Sequence, residues 1–294
     1  MILVKLRGGL SNQMFQYAAA RRLAAVHSTS VRIDTSWYDN IPAGATLRTY
    51  ELHHLQITGE RASRWETIGT DGVRNTRVPD LPIALYRRLR PRYRFVAERY
   101  FHFDPSVLAL PDNACLFGYW VSERYFVDAA EIIRREFRFR NPPSLENQKW
   151  MARMAEAQSV AIHLRRGDYA ADPAVTASHG LCGVDYYRRC VELVRQHVVE
   201  PYFFVFSDDL NWARENLGLG TDAEYVDHNQ GAPSHEDLRL MSCARHNIIA
   251  NSSYSWWAAW LNQHESKLVV APERWMSNPS FDSRDVLPMG WFQV

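Results

Sequence analysis

Beyond Pro143 the chain alternates short apolar runs with helix-forming stretches, and no other feature limits the fold as strongly. Residues 159–164, 202–206, 247–250 and 268–271 are dominated by aliphatic and aromatic side chains suited to buried strands. Residues 151–157, 185–199, 210–217, 234–244 and 254–263 suit helices. Strands and helices in turn predict a parallel sheet covered on both faces. The start of the chain repeats the pattern: residues 2–6 read as a strand, Arg7 to Asn12 as a turn-rich loop, residues 13–25 as a helix and 31–34 as a second strand. From about residue 40 to 141 the reading is broken by Pro42, Pro79, Pro82, Pro91, Pro105 and Pro111, leaving a strand at 116–120 and a helix at 129–137. Asn141-Pro142-Pro143-Ser144 is the best linker. The expectation is an α/β chain with an N-terminal lobe, 1–143, and a C-terminal lobe, 144–294.

With 294 residues, 46% hydrophobic and 23% charged, the chain can bury a substantial core. The 34 Lys and Arg against 33 Asp and Glu give a net charge of +1, so bulk charge supports neither nucleic-acid binding nor a basic membrane face. Cys115, Cys182, Cys190 and Cys243 form no C-x-x-C pair and read as free thiols in a reducing compartment. The first apolar run is too short for a leader, and no later one reaches the ~18 residues of a membrane span. A cytoplasmic location is expected, with peripheral membrane contact through a lipid-linked acceptor left open.

Ligands of open α/β sheets bind beyond the carboxyl ends of the strands. Here those ends carry Arg7-Gly8-Gly9-Leu10-Ser11-Asn12-Gln13, His163-Leu164-Arg165-Arg166-Gly167-Asp168, Ser207-Asp208-Asp209 and Asn251-Ser252-Ser253-Tyr254-Ser255. Arginine offers a planar fork of donors matched to phosphate, and two in succession point to different sides, so that one can grip phosphate while the other pairs with an acid. Taken alone, the motif reads equally well as a solvated basic turn; the other three strand ends favour a ligand site. Ser252, Ser253 and Ser255 at a helix start suit an anion, against a plain N-cap by one of them. Asp208 can accept from a nucleoside, and Asp209 suits a cap on the next helix. The two acids are adjacent with no third ligand evident, so no metal is expected. Gly8 and Gly9 permit close backbone approach to a ligand but match neither dinucleotide nor Walker loops. Trp256, Trp257 and Trp260 suit the core.

In this order, the segments resemble the α1,2-fucosyltransferases, particularly the short bacterial members. Those enzymes open with a strand, Gly-Gly-Leu-Gly-Asn-Gln and Phe-Gln-Tyr-Ala; here the stretch is Gly8-Gly9-Leu10-Ser11-Asn12-Gln13-Met14-Phe15-Gln16-Tyr17-Ala18. His-x-Arg-Arg-Gly-Asp is matched at His163 to Asp168, and later motifs at Phe206-Ser207-Asp208 and Asn251-Ser252-Ser253-Tyr254-Ser255-Trp256-Trp257. The resemblance runs to about Asn262, and residues 40–141 carry no matching motif. Ser11 replaces a family glycine; if that position needs positive φ, serine there is strained by ~1 kcal/mol or more.

The resemblance implies a GT-B-like fold, two Rossmann-like lobes with a cleft between them, the first on the acceptor side and the second binding GDP-fucose. It implies transfer of L-fucose to the 2-hydroxyl of a galactose-terminated glycan, with inversion and with neither metal nor cofactor. Arg165 is then the leading phosphate ligand and catalytic residue, and Arg166 supports the loop or the phosphate. His163 and Asp208 contact the nucleoside, Ser252, Ser253 and Ser255 are supporting donors, and Gly8 and Gly9 line the ligand loop. Asn12 orients the acceptor or the sugar. Asp168 is the first candidate for a general base, against a role holding the arginines. The alternatives are an α1,6- or protein-directed fucosyltransferase, a non-catalytic nucleotide-sugar-binding subunit and, with less support, a nicotinamide-dependent dehydrogenase.

Overall fold

The computed structural model describes residues 1–41, 46–67, 93–167, 172–230 and 234–294, in two compact units, Met1–Arg138 and Phe139–Val294. The second unit begins ahead of Asn141-Pro142-Pro143-Ser144 because this segment is tied to it. Phe139 stacks on His235 with ring centres 6.1 Å apart, and Arg239 Nη2 donates to the Asn141 carbonyl over 2.9 Å.

The first unit contains β1 (Ile2–Lys5), α1 (Leu10–Val26), β2 (Val31–Asp34), β3 (Glu60–Arg61), α2 (Arg64–Thr67), β4 (Arg94–Ala97), β5 (Ala114–Phe117) and α3 (Ala130–Glu136). Its strands run parallel in the order β3-β2-β1-β5-β4. Helix α1 buries Met14, Phe15, Tyr17, Ala18 and Ala20. The small alanines allow close packing, and α1 meets β1, β2 and β5. Ser11 lies inside α1 and is not among the residues with positive φ, so the condition under which serine would be strained there is not met. The left-handed residue of the loop is Gly8, at φ +77°. The strand expected at 116–120 ends at Phe117; Trp120 adopts φ +57°, which turns the chain out of the sheet.

The second unit contains α4 (Leu145–Glu156), β6 (Gln158–Leu164), α5 (Pro173–His179), α6 (Val184–His197), β7 (Pro201–Ser207), α7 (Leu210–Leu217), β8 (Ala223–Tyr225), α8 (His235–Cys243), β9 (His246–Ile248), α9 (Ser253–Leu261), β10 (Val269–Ala271) and β11 (Phe292–Gln293). The sheet is parallel, in the order β11-β10-β9-β6-β7-β8. Helix α4 begins earlier than the expected 151 because Ser144 caps it, its Oγ accepting from Asn147 N over 3.1 Å. Strand alternation sends Val160, Ile162 and Leu164 into a core with Tyr187, Cys190 and Val194 of α6 and Phe203 and Val205 of β7. Trp256, Trp257 and Trp260 are buried as expected. All four cysteines are free, and burial raises the thiols of Cys182 and Cys190 to about 11 and about 12, so both stay protonated. Among the described residues no helix is long and apolar enough to cross a membrane.

Candidate functional site

The parallel register of β6 and β7 fixes the centre of the site. Leu164 pairs with Ser207, so the chain leaves the two strands side by side at Arg165 and Asp208. Arg165 Nη1 lies 2.9 Å from Asp208 Oδ2, and the backbone N–H of Arg166 donates to Asp208 Oδ1 over 2.8 Å. The carboxylate thus holds both the guanidinium of Arg165 and the loop that carries it. A Cβ on Gly167 would stand 2.8 Å from Asp208 Oδ2, so glycine lets the two segments approach.

The second arginine points elsewhere. Arg166 lays its guanidinium carbon 3.7 Å from the centre of the Trp212 ring, and its Nε is 3.7 Å from Asp209 Oδ2. Asp209 also caps α7 as expected, its Oδ1 accepting from Trp212 N over 3.1 Å. Sequence reasoning missed Trp212 as the seat of Arg166; an aromatic three residues after an acidic cap is the only local signal for it.

His163 occupies the opposite face of β6 from Leu164 and is 6% exposed. Burial, aided by the charge of Arg165 and opposed by Asp208, pushes its pKa down to about 4, so the ring is neutral near pH 7. Its Nδ1 is buried without a hydrogen-bond partner among the described residues, and its ring centre is 5.6 Å from that of Tyr254. A neutral imidazole with an unmet ring nitrogen can serve a ligand as donor or acceptor, according to tautomer.

After β9 the polar side chains are largely engaged within the protein. Asn251 Nδ2 donates to the carbonyls of His179 and Gly180 over 2.8 and 3.3 Å, fastening the loop after α5. Ser252 caps α9, its Oγ accepting from Tyr254 N over 3.4 Å. Ser255, 1% exposed, donates its hydroxyl to the Ser252 carbonyl over 3.3 Å. Ser253 is half-buried at the first turn of α9. Tyr254 donates its hydroxyl to the Ser234 carbonyl, which ties α9 to the residue before α8.

Gly8, Gly9 and Asn12 belong to the first unit. Gly9 is the N-cap position of α1 and Asn12 is half-buried in its first turn. A Cβ on Gly8 would lie 2.5 Å from Asn12 Nδ2. Two buried glutamines fix this loop, neither given a role by the sequence reading. Gln13 donates to the carbonyls of Gly8 and Thr49 over 3.0 and 2.7 Å and accepts from Glu51 N over 2.8 Å. Gln16 accepts from Arg7 N over 3.0 Å and donates to Arg7 O over 3.2 Å, pairing like an extra strand residue.

The model of glycosyl transferase family 11 matches residues 86–294. The chain belongs to that family.

Two curated relatives of this family 11 chain come from Escherichia coli. An alpha-1,2-colitosyltransferase is 28% identical, over 100% of this chain and 99% of its own, and the O-antigen biosynthesis glycosyltransferase WbnK is 31% identical, over 92% and 94%. Among solved structures, fucosyltransferase NodZ from Bradyrhizobium is 15% identical, with a TM-score of 0.47 over 87% of this chain and 91% of its own. The α/β architecture expected for the glycosyltransferase is present in both units. Asp168, the first candidate for a general base, lies outside the described residues. Among the described residues no group of three His, Cys, Asp or Glu side chains is arranged to hold a metal ion.

Proposed function

We propose that this glycosyltransferase moves L-fucose from GDP-fucose to the 2-hydroxyl of a galactoside, with inversion. The observation that carries the reading is the guanidinium of Arg165, aligned by Asp208 at a strand exit beside the neutral ring of His163. In one displacement the acceptor oxygen bonds to the anomeric carbon while the bond from that carbon to the diphosphate oxygen breaks. The acceptor proton passes to a base, and Asp168 is the candidate. Charge grows on the departing diphosphate, and Arg165 meets it without reorganising.

His163 and Asp208 are assigned to the nucleoside side, with Asp208 also steadying Arg165. Arg166 braces the loop through Trp212 and Asp209. Ser252, Ser253 and Ser255 shape the start of α9 toward phosphate, while Gly8, Gly9 and Asn12 serve acceptor or sugar from the first unit. The reaction is assigned no metal and no cofactor, and the protein a cytoplasmic location.

The test is incubation with GDP-fucose and a panel of galactosides, with linkage analysis of the product. An α1,2-linked fucosyl galactoside is expected. An α1,6 product, or no product together with tight GDP binding, would replace the reading by one of its rivals.

A second reading, with colitose as the sugar, is favoured by the colitosyltransferase that matches the full chain. Colitose lacks one ring hydroxyl of fucose. Competition between the two GDP-sugars at equal concentration decides, since a site that hydrogen-bonds the missing hydroxyl rejects the deoxy sugar strongly.

A further inference from the structure

Strands β1, β5 and β4 are neighbours, and their carboxyl ends bring together groups that the reaction above does not use. Arg7 follows β1, its backbone pinned by Gln16. Its guanidinium carbon sits 4.0 Å from the centre of the Tyr119 ring and 4.7 Å from that of Phe117, both after or at the end of β5. Stacking fixes the guanidinium plane and leaves its N–H edge available. Its Nε is buried without a hydrogen-bond partner among the described residues.

Glu98, the residue after β4, supplies the opposite chemistry. Its Oε2 accepts from Tyr119 N over 2.7 Å and its Oε1 from Trp120 N over 2.8 Å. A Cβ on Gly118 would stand 2.4 Å from Glu98 Cβ, so the β5 exit is shaped around this side chain. Burial raises the carboxyl above its ordinary range, the two N–H groups and the charge of Arg7 opposing. Each carboxylate oxygen keeps lone-pair capacity beyond the single bond it accepts.

We propose that Arg7 and Glu98 form a neutral-sugar subsite in the first unit, binding two adjacent hydroxyls of the acceptor glycan. One hydroxyl oxygen accepts from Arg7 and its neighbour donates to Glu98. This pairing suits a diol better than an anion, because the carboxylate of Glu98 stands where a bound anion would be repelled. The aromatic rings of Tyr119 and Phe117 hold Arg7 in place. The acceptor role rests on the glycosyl-transfer reading above, whereas binding of the sugar itself does not.

The full chain is tested by saturation-transfer NMR with lactose, the methyl glycosides of galactose, glucose and N-acetylglucosamine, and glucuronate. Arg7→Met, which keeps an unbranched apolar stem but lacks the guanidinium, and Glu98→Gln are compared with wild type, and circular dichroism with urea denaturation reports that the first unit of each variant is folded. Wild type is expected to bind at least one neutral glycoside, and each variant to weaken that binding about tenfold or more with GDP affinity unchanged. With fucosyl transfer as a second readout, the acceptor KM rises in both variants by more than kcat falls. Neutral-glycoside binding that survives in both variants, no binding of any neutral glycoside by wild type, or preference for glucuronate overturns the proposal. Binding lost in the variants while wild type transfers no fucose supports the subsite and defeats the transfer reading instead.

Discussion

Arg165 and Asp208 leave adjacent parallel strands in register, and their side chains meet at 2.9 Å. The arginine therefore waits in one orientation at the carboxyl edge of the sheet, where a flexible side chain would otherwise have to be ordered on binding. Preorganisation of this kind is what makes a donor effective against charge that develops only in the transition state.

Arg165→Ala should lower turnover by ~100-fold or more with the melting temperature nearly unchanged. Asp208→Asn keeps an acceptor for Arg166 N but loses the charge opposite Arg165, so a loss of about tenfold is expected. Steady-state kinetics with GDP-fucose give the order: wild type, then Asp208→Asn, then Arg165→Ala. Full activity in Asp208→Asn would remove the positioning role from this pair.

Arg166→Lys tests the other arginine. Lysine retains charge but not the planar group lying 3.7 Å from the Trp212 ring centre. A stability loss of about 1 kcal/mol in urea denaturation is expected. GDP affinity, measured calorimetrically, should change less than in Arg165→Ala. The opposite ranking would make Arg166 the phosphate ligand.

Gly167→Ala places a methyl 2.8 Å from a carboxylate oxygen that is pinned on both sides. Either the loop or Asp208 must shift, which costs about 1–3 kcal/mol. The expected result is weaker GDP binding and lower turnover together. Unaltered GDP affinity in a folded variant would show that the Arg165–Asp208 contact tolerates displacement.

Much of this site was legible because parallel strands deliver successive loop starts to one edge. His163, Arg165 and Asp208 are brought together by that rule alone. The holds on them were not, because the seat of Arg166 on Trp212 and the latching of Gly8 by Gln13 join groups through shape and hydrogen bonds, without periodicity. Strand β3 has two residues and β4 exposes most of its side chains, so neither presents an apolar run to read. Ser11 shows the converse error. The family glycine suggested a left-handed position, but the left-handed residue is Gly8, and Ser11 is an ordinary helical residue. Ser11→Gly is accordingly expected to destabilise by ~0.5–1 kcal/mol, measured by urea denaturation, rather than to relieve strain.

Protonation of His163 sets an acid limit on stability. Its pKa falls from 6.5 to about 4 in the folded protein, chiefly through burial. Between those values the unfolded chain binds a proton that the folded chain refuses, so stability rises with pH across this window. The contribution is fully present above pH 6.5 and is lost as pH falls toward 4, an effect on the order of 3 kcal/mol. His163→Asn keeps a polar group of similar size that does not titrate. Its unfolding free energy should fall less steeply than that of wild type between pH 6.5 and pH 4. Parallel curves for the two proteins would mean that the imidazole takes up its proton as readily in the folded state as in the unfolded chain, and the burial-depressed pKa of His163 would have to be given up.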